Sequence, residues 1–174
     1  EPRIAAVWTG DVRLTERLGS GQDVYLPLAQ YAYDLVHAKH KNDGEPVVYG
    51  GLDIRLPCSL TKKHSEWRQI GKKFFLATMY GAQWAKLQET ALKDLGLMLA
   101  NDEAIQLSKA LREEYSGVAT LAAIAWAELA VGGYVTTLLG HKRWLYGAFS
   151  TRPADRSGAR REGANMKVQG TAAG

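Results

Sequence analysis

Residues 65–81 read Ser65-Glu66-Trp67-Arg68-Gln69-Ile70-Gly71-Lys72-Lys73-Phe74-Phe75-Leu76-Ala77-Thr78-Met79-Tyr80-Gly81. Serine is a preferred helix N-cap, and glycine a common residue at which helices stop or bend. Between Ser65 and Gly81, the residues Arg68, Lys72, Leu76 and Tyr80 recur at every fourth position. Four residues of α-helix overshoot one turn by roughly 40° and climb about 6 Å, so these side chains form one slowly drifting stripe. The cations come first, at the helix end where backbone amides and the macrodipole also favour anions. An aliphatic residue and then a hydroxyl-bearing aromatic follow. A phosphorylated ligand would fit, with its phosphates at Arg68 and Lys72 and a flat ring near Tyr80. The same spacing also suits a surface helix with two solvated cations over a buried face of Phe74, Phe75 and Leu76. The stripe alone leaves both readings open.

The whole chain bounds the choice. Its 174 residues suit one domain, or one large piece of a longer protein, and 46% apolar residues are enough for a core. The formal charge of +4 permits an anionic partner without demanding one. A single cysteine, Cys58, excludes an internal disulfide and any multi-cysteine zinc or iron–sulfur site, which suits a reducing, cytoplasmic compartment. The longest apolar run, Val118 to Val131, is interrupted by Glu128 and falls short of the roughly 18 residues of a membrane span. No signal peptide is visible. The chain starts at Glu1 without Met and ends Thr171-Ala172-Ala173-Gly174, which suggests a fragment.

Helical periodicity dominates the rest. Pro2 opens a short apolar helix, and Asp11 to Leu18 reads as a short polar one. Asp23 is placed to cap a helix through about His40, in which Val24, Leu28, Tyr31, Leu35 and Ala38 recur at helical spacing. Val47 to Leu56, interrupted by Gly50-Gly51, reads as a loop or a short extended piece. Further helices are expected over Ala82 to Leu95, from Asn101 to Tyr115, and over the apolar Val118 to Val131 with Gly132-Gly133 as its cap. Tyr134 to Thr137 and Arg143 to Tyr146 alternate around Leu139-Gly140 as a β-hairpin does. Ser150 to Gly158 reads as a polar loop, and Arg160 to Ala173 as a last helix with Arg161, Asn165 and Gln169 at steps of four. The expected fold class is mainly α with one small β-hairpin.

Most catalytic chemistries find no support. His37 and His40 are three apart, but nothing completes a zinc site at a closing spacing. There is no nucleophile elbow, no phosphate-binding glycine loop with its Lys-Ser/Thr, and no pair of carboxylates placed for acid–base work. Nucleotide or nucleic-acid binding fares better. The helix after Ser65 carries Arg68, Lys72 and Tyr80. The tail from Arg152 to Lys167 carries five cations against two anions, and Trp144 and Tyr146 precede it. Stacking combined with phosphate pairing holds nucleotides and strands without reading sequence.

Taken together, the motifs resemble DNA polymerase family A. Arg68-x3-Lys72-x3-Leu76-x3-Tyr80-Gly81, preceded by Ser65-Glu66, resembles that family's nucleotide-binding helix. Glu1-Pro2-Arg3-Ile4 is similar to the end of its first palm motif, just after a metal-binding Asp. Gly21-Gln22-Asp23-Val24-Tyr25 is similar to its step into the fingers, and Tyr115-Ser116-Gly117-Val118 to a Tyr-Pro-Gly-Val turn. Gly133 to Arg143 resembles its hairpin, and Arg161-x3-Asn165-x3-Gln169-Gly170-Thr171-Ala172-Ala173 its second primer–template helix. The motifs follow the family's order along nearly the whole chain.

The resemblance implies an organisation and a set of roles. Residues 1–22 would be a palm edge, 23–160 the helical fingers with the nucleotide-binding helix 65–81 and the hairpin 134–146, and 161–174 the start of a palm helix against primer–template DNA. The whole would be excised from a larger right-hand polymerase. Arg68 and Lys72 would be the catalytic residues that hold the triphosphate of a dNTP, and Lys72 could protonate the leaving pyrophosphate. Glu1 would sit by the sugar, Tyr25 near the triphosphate, Leu76 against the sugar and Tyr80 at the insertion site. Gly81, Arg161, Asn165 and Gln169 would contact DNA, the last three in the minor groove. The implied cofactor is Mg2+, bound by palm carboxylates absent from this chain, so the isolated chain is expected to be inactive. Its partners would be dNTP, primer–template DNA and the remaining palm and thumb. Departures are Leu76 where most members carry Phe or Tyr (a variant of phage-type members), Tyr25 for His, Gln69 for a second Arg, and Gly174 for Asp. The competing expectations are a stand-alone helical nucleic-acid-binding module and a helical scaffold with no anionic ligand.

Overall fold

The computed structural model describes residues 1–173, so Gly174 and the Asp it would replace lie outside the described residues. The chain folds as two compact units, one of Ser20–Thr78 and Ala82–Glu114, the other of Glu1–Gly19, Met79–Gly81 and Tyr115 onward. The fold is mainly α. Two small antiparallel strand pairs accompany the helices where the sequence suggested one.

The first unit contains α3 (Leu26–His40), β1 (Val48–Tyr49), β2 (Leu52–Asp53), the body of α4 (Ser65–Met79), α5 (Trp84–Leu95) and α6 (Asn101–Glu114). Val47 to Leu56 is the second hairpin: Val48 pairs with Asp53 and Tyr49 with Leu52. Gly50 and Gly51 at its tip both have φ near +60° to +75°, which the tight turn requires.

α3 buries only part of its periodic apolar set. Leu28, Ala29, Ala32, Tyr33 and Val36 are inside, while Tyr31 is exposed. The reason is on α4. A Cβ at Gly71 would lie 2.2 Å from the Tyr25 carbonyl and 3.1 Å from the Ala29 Cβ. The backbones therefore meet across a glycine and an alanine, and small side chains turn inward to allow it. Trp67, fully buried one turn before Gly71, stands edge-on to Tyr33 and Tyr49 at 5.0 and 5.4 Å between ring centres.

α4 begins one residue earlier than a Ser65 cap would have it. The Arg68 amide donates to the His64 carbonyl, so His64 occupies the cap position and Ser65 is already helical. The Thr61 amide donates to His64 Nδ1, which fixes the turn that leads in.

The other unit contains α1 (Pro2–Thr9), α2 (Val12–Gly19), α7 (Ser116–Gly132), β3 (Tyr134–Thr136), β4 (Lys142–Trp144), a 3-10 turn (Tyr146–Phe149), α8 (Pro153–Asn165), a π turn (Met166–Gly170) and α9 (Thr171–Ala173). Ala122, Ala125 and Leu129 of α7 pack with Val135, Leu145, Ala159 and Ala164. Asp11 is buried and serves two helices: Oδ1 accepts the Leu14 amide at the start of α2, and Oδ2 the Gly117 amide at the start of α7.

The polar loop expected over Ser150 to Gly158 is largely helix. Pro153 takes the first helical position, Asp155 lies in the first turn, and the Ser150 hydroxyl accepts the Arg152 amide while donating to Asp155. These are helix-start signals inside a composition that resembles a loop. The segment from Arg160 is accordingly the second half of α8, continued by the π turn.

Two glycines give opposite expected outcomes. Gly71→Ala should destabilise the fold by about 1–3 kcal/mol, because the obstructing atom is backbone. Gly158→Ala, inside α8 with nothing within 4 Å of the added carbon, should stabilise by up to about 1 kcal/mol. Thermal melts check both, at about 2–4 °C per kcal/mol for a chain this long. Equal shifts in the two variants would overturn the close helix approach.

Candidate functional site

Arg68, Lys72 and Leu76 occupy successive turns of α4 in the first unit. Arg68 is held on two sides. Its Nε donates to Asp23 Oδ2, and its guanidinium lies over the Tyr25 ring at 5.1 Å. Tyr25 is fixed in turn by an edge-to-face contact with Phe75 at 5.7 Å. Asp23 is the pivot: its other oxygen accepts the Tyr25 amide at 2.9 Å, and its side chain is only 3% exposed. Burial opposes its ionisation, but the Arg68 hydrogen bond and charge, with the Tyr25 and Leu26 amides, outweigh burial and hold its pKa below 3.8. Arg68 donates through Nε, so the terminal edge of its guanidinium has no hydrogen-bond partner among the described residues. A fork anchored at Nε with its outer edge open suits bidentate pairing to phosphate or carboxylate oxygens.

Lys72, half-buried one turn on, has no hydrogen bond or ion pair among the described residues. Its neighbour Lys73 differs, pairing with Asp94 at 2.8 Å. Leu76 lines an open groove of about 360 Å3 with Lys73, Lys86, Glu89, Thr90, Lys93 and Asp94. Much of that groove's charge is neutralised locally, by Lys73–Asp94 and Lys86–Glu89.

The second unit gathers Tyr80, Glu1 and Gln169. Tyr80 follows the end of α4 and packs beside the α7 core, with its hydroxyl buried and lacking a hydrogen-bond partner. Burial, reinforced by the negative charge of Glu1, pushes its pKa up to about 12. Gln169 lies near enough to pull the other way without completing a hydrogen bond to the hydroxyl. Instead its amide donates to Glu1 Oε1 at 3.4 Å, a long contact. Asn165 Oδ1 is likewise buried without a partner. Gly81, at φ +78°, has no room for a side chain: a Cβ would lie 2.6 Å from the Trp126 ring. Arg161 is exposed on α8.

Two contributors were not singled out from the sequence. Asp23, a cap and a member of the Gly21–Tyr25 motif in the sequence, supports both Arg68 and the turn carrying Tyr25. Lys167 was counted as one more surface cation. It is fully buried, 2.6 Å from Glu128 Oε1 and 3.1 Å from the Thr136 carbonyl, with its ammonium 3.9 Å from the centre of the Trp8 ring. Its own carbonyl accepts the Trp8 indole N–H and the Thr171 hydroxyl. Side chains on α1, α7 and α9 and a backbone carbonyl of β3 thus all hold the π turn. No signal of spacing marks it, because Lys167 stands off the every-fourth stripe.

Among the described residues no three His, Cys, Asp or Glu side chains gather as a metal site. No single helix among them is long and apolar enough to cross a membrane.

The family described as DNA polymerase family A matches residues 56–174, and the chain belongs to it. Its fold is that of a solved structure described as the POL domain of Pol1 from M. smegmatis in complex with DNA primer-template and dNTP, with a TM-score of 0.71 at 22% identity. The match covers 99% of this chain and 25% of that one, so this chain spans about a quarter of that relative's length. No curated protein matches.

Asp23 gives the site an acid-sensitive support. Its folded pKa is depressed, so its contribution is complete above the ordinary carboxylate value of 3.8 and is lost as pH falls through the lower folded value. Asp23→Asn should cost about 1.5 kcal/mol near neutral pH, the low end for a charged hydrogen bond because Arg68 is one-third exposed. Urea melts of both proteins should converge as the pH drops below about 4. A difference that persists undiminished there would show that the carboxylate charge is not what holds Arg68.

Proposed function

We propose that this chain is the nucleotide-binding fingers, with adjoining palm edges, of a template-directed DNA polymerase that adds dNTPs to a primer 3′-OH. The observation that carries the reading is the pair of orphaned polar atoms. Among the described residues, the buried side-chain polar atoms without partners are the Tyr80 hydroxyl and Asn165 Oδ1. Leaving such a group unpaired costs about 1–3 kcal/mol, which a stable fold avoids unless something else completes the bond. Both belong to residues to which the family resemblance gives roles, Tyr80 at the insertion site and Asn165 at the primer–template minor groove and nascent pair. Minor-groove acceptors at N3 and O2 suit a hydroxyl donor such as that of Tyr80, whereas Asn165 Oδ1 accepts and would need a donor such as the guanine amine.

In this reading Arg68 uses its open edge on the triphosphate, braced by Asp23 and stacked on Tyr25. Lys72, one turn further, neutralises charge on the leaving pyrophosphate and supplies its proton as the α-phosphate bond to the primer oxygen forms. Glu1, near Tyr80 and Gln169, excludes a ribose 2′-OH. Tyr80, with its pKa raised to about 12, stays a neutral donor. Leu76 contacts the sugar. Arg161, Asn165 and Gln169 follow the primer–template. Family A polymerases use divalent metal ions. The carboxylates for Mg2+ would come from palm segments other than those described here, so the chain by itself should not extend a primer. The aliphatic Leu76 favours a phage-type parent.

Single-turnover insertion by the polymerase containing this chain tests the assignment. Arg68→Ala and Lys72→Ala should each lower kcat/KM for dNTP by roughly 10- to 100-fold, the loss of a charge-assisted contact, with primer–template affinity little changed. Weakened DNA binding with unchanged nucleotide use would favour the stand-alone nucleic-acid-binding module. Unaltered kinetics in both variants would favour a scaffold.

Leu76→Phe probes the sugar contact separately. It should change the relative use of dideoxy- and deoxynucleotides in competition assays on the same polymerase. An unchanged ratio would remove Leu76 from the sugar.

A further inference from the structure

Lys167 is a buried cation that the nucleotide reading does not use. It stands midway between Asn165 and Gln169, two of the residues assigned to primer–template DNA, within the π turn Met166–Gly170. Its side chain is fully buried, and the residue is tied down at both ends. The ammonium lies 2.6 Å from Glu128 Oε1 and 3.1 Å from the Thr136 carbonyl, over the Trp8 ring. The carbonyl accepts the Trp8 indole N–H at 2.9 Å and the Thr171 hydroxyl at 2.6 Å. A continuing α-helix would give that carbonyl the Thr171 amide, but this amide donates to the Val168 carbonyl. Side-chain donors thus replace the ladder bond, and Trp8 meets Lys167 twice, through its ring face and its N–H.

The two flanking side chains have little of their own to fix them. Asn165 Oδ1 is buried without a partner, and Gln169 makes a long contact of 3.4 Å with Glu1 Oε1. Their directions therefore follow the backbone between them. A π turn is a rare interruption of the α ladder, and here its support comes from the Lys167 contacts. A methionine of similar length would fill the same space without the desolvation cost of a charge, and replacing a buried ion pair by uncharged residues is often neutral or stabilising. What methionine would lose is direction, because the ammonium is drawn to fixed groups on α7, β3 and α1 at once. Direction matters for the neighbours. The Gln169 amide suits the minor-groove acceptors N3 and O2, which correct pairs place alike and a mismatched pair displaces.

We propose that Lys167 is a positioning residue: its pairing with Glu128 sets the π turn and so aims Asn165 and Gln169 at the minor groove of the primer terminus, where they distinguish a correct last pair from a mismatch. This rests on the polymerase reading and adds to it a residue that itself touches no DNA. The test uses the full-length polymerase containing this chain and compares extension of matched and mismatched primer termini. Lys167→Met should slow matched termini roughly tenfold, the scale of one misplaced hydrogen bond, and leave the already slow mismatched termini little changed, so discrimination falls by the same factor. The dNTP KM should stay near the wild-type value, because Arg68 and Lys72 belong to the other unit. Asn165→Ala/Gln169→Ala should itself lower discrimination, and adding Lys167→Met to it should change nothing further. Lys167→Met/Glu128→Gln removes both charges while keeping an acceptor for the Thr136 amide. It should melt close to the wild-type temperature and show the same loss of discrimination, which separates aim from folding. Wild-type discrimination in either Lys167 variant would overturn the proposal, as would a further loss in the Asn165→Ala/Gln169→Ala background. A collapse of the melting temperature in both Lys167 variants, or a dNTP KM that rises in step with the lost rate, would make Lys167 a structural residue only and overturn it too. Unchanged discrimination in Asn165→Ala/Gln169→Ala would remove those residues from DNA, so the polymerase assignment of this unit would fail together with the proposal.

Discussion

α4 can lie against α3 only because residue 71 has no side chain. The Tyr25 carbonyl, which accepts the Ala29 amide in the first turn of α3, occupies the place where a Cβ would stand. Two backbones brought this close fix much else within the unit. The turn before α3 carries Asp23 and Tyr25, and both reach Arg68, one by a hydrogen bond at Nε and one by its ring under the guanidinium. The orientation of the open guanidinium edge is thus a consequence of backbone contact, not of Arg68's own rotamer preferences. Burying Asp23 is tolerable because every charge-stabilising group it needs comes from the same two segments.

The other unit uses a buried cation in place of a missing side chain. Lys167 would be costly in an apolar core, since an isolated ammonium loses several kcal/mol of hydration. Glu128, the Thr136 carbonyl and the Trp8 ring together replace water around it. Glu128 also accepts the Thr136 amide, so the same carboxylate secures the start of the hairpin. The arrangement leaves the nearby Asn165 and Tyr80 atoms unpaired while satisfying Lys167 completely. Polar satisfaction in this unit is selective: Lys167 is paired, while the Tyr80 hydroxyl and Asn165 Oδ1 are not.

Sequence patterns disclosed the helices and the main stripe because those depend on local periodicity. α4 follows from Arg68, Lys72, Leu76 and Tyr80, and α7 from its apolar run and glycine cap. The buried face of α3 was not legible, because its apolar residues surround the helix and the choice among them rests on Gly71, some forty positions away. The start of α8 was obscured by the composition of Ser150 to Gly158, although Pro153 and Asp155 are ordinary helix openers. The supporting roles of Asp23 and Lys167 escaped notice for a shared reason. Each is a charged residue whose partners are distant in sequence, and a charge is read as solvated until its partner is seen. Family membership was legible in the order of the motifs, while the orphaned hydroxyl of Tyr80 required the packing around it.

The π turn after Asn165 changes what spacing means on that helix. A turn closed by i→i+5 bonds takes more than four residues, whereas an α turn takes fewer. Four steps from Asn165 to Gln169 therefore fall short of a full revolution, where the α-helical steps from Arg161 to Asn165 overshoot one. The stripe drifts one way and then back, so the ends of the three-residue series stay closer to one line than a straight α-helix would keep them. A local excess of backbone thus works as a register correction that keeps the three side chains closer to one line.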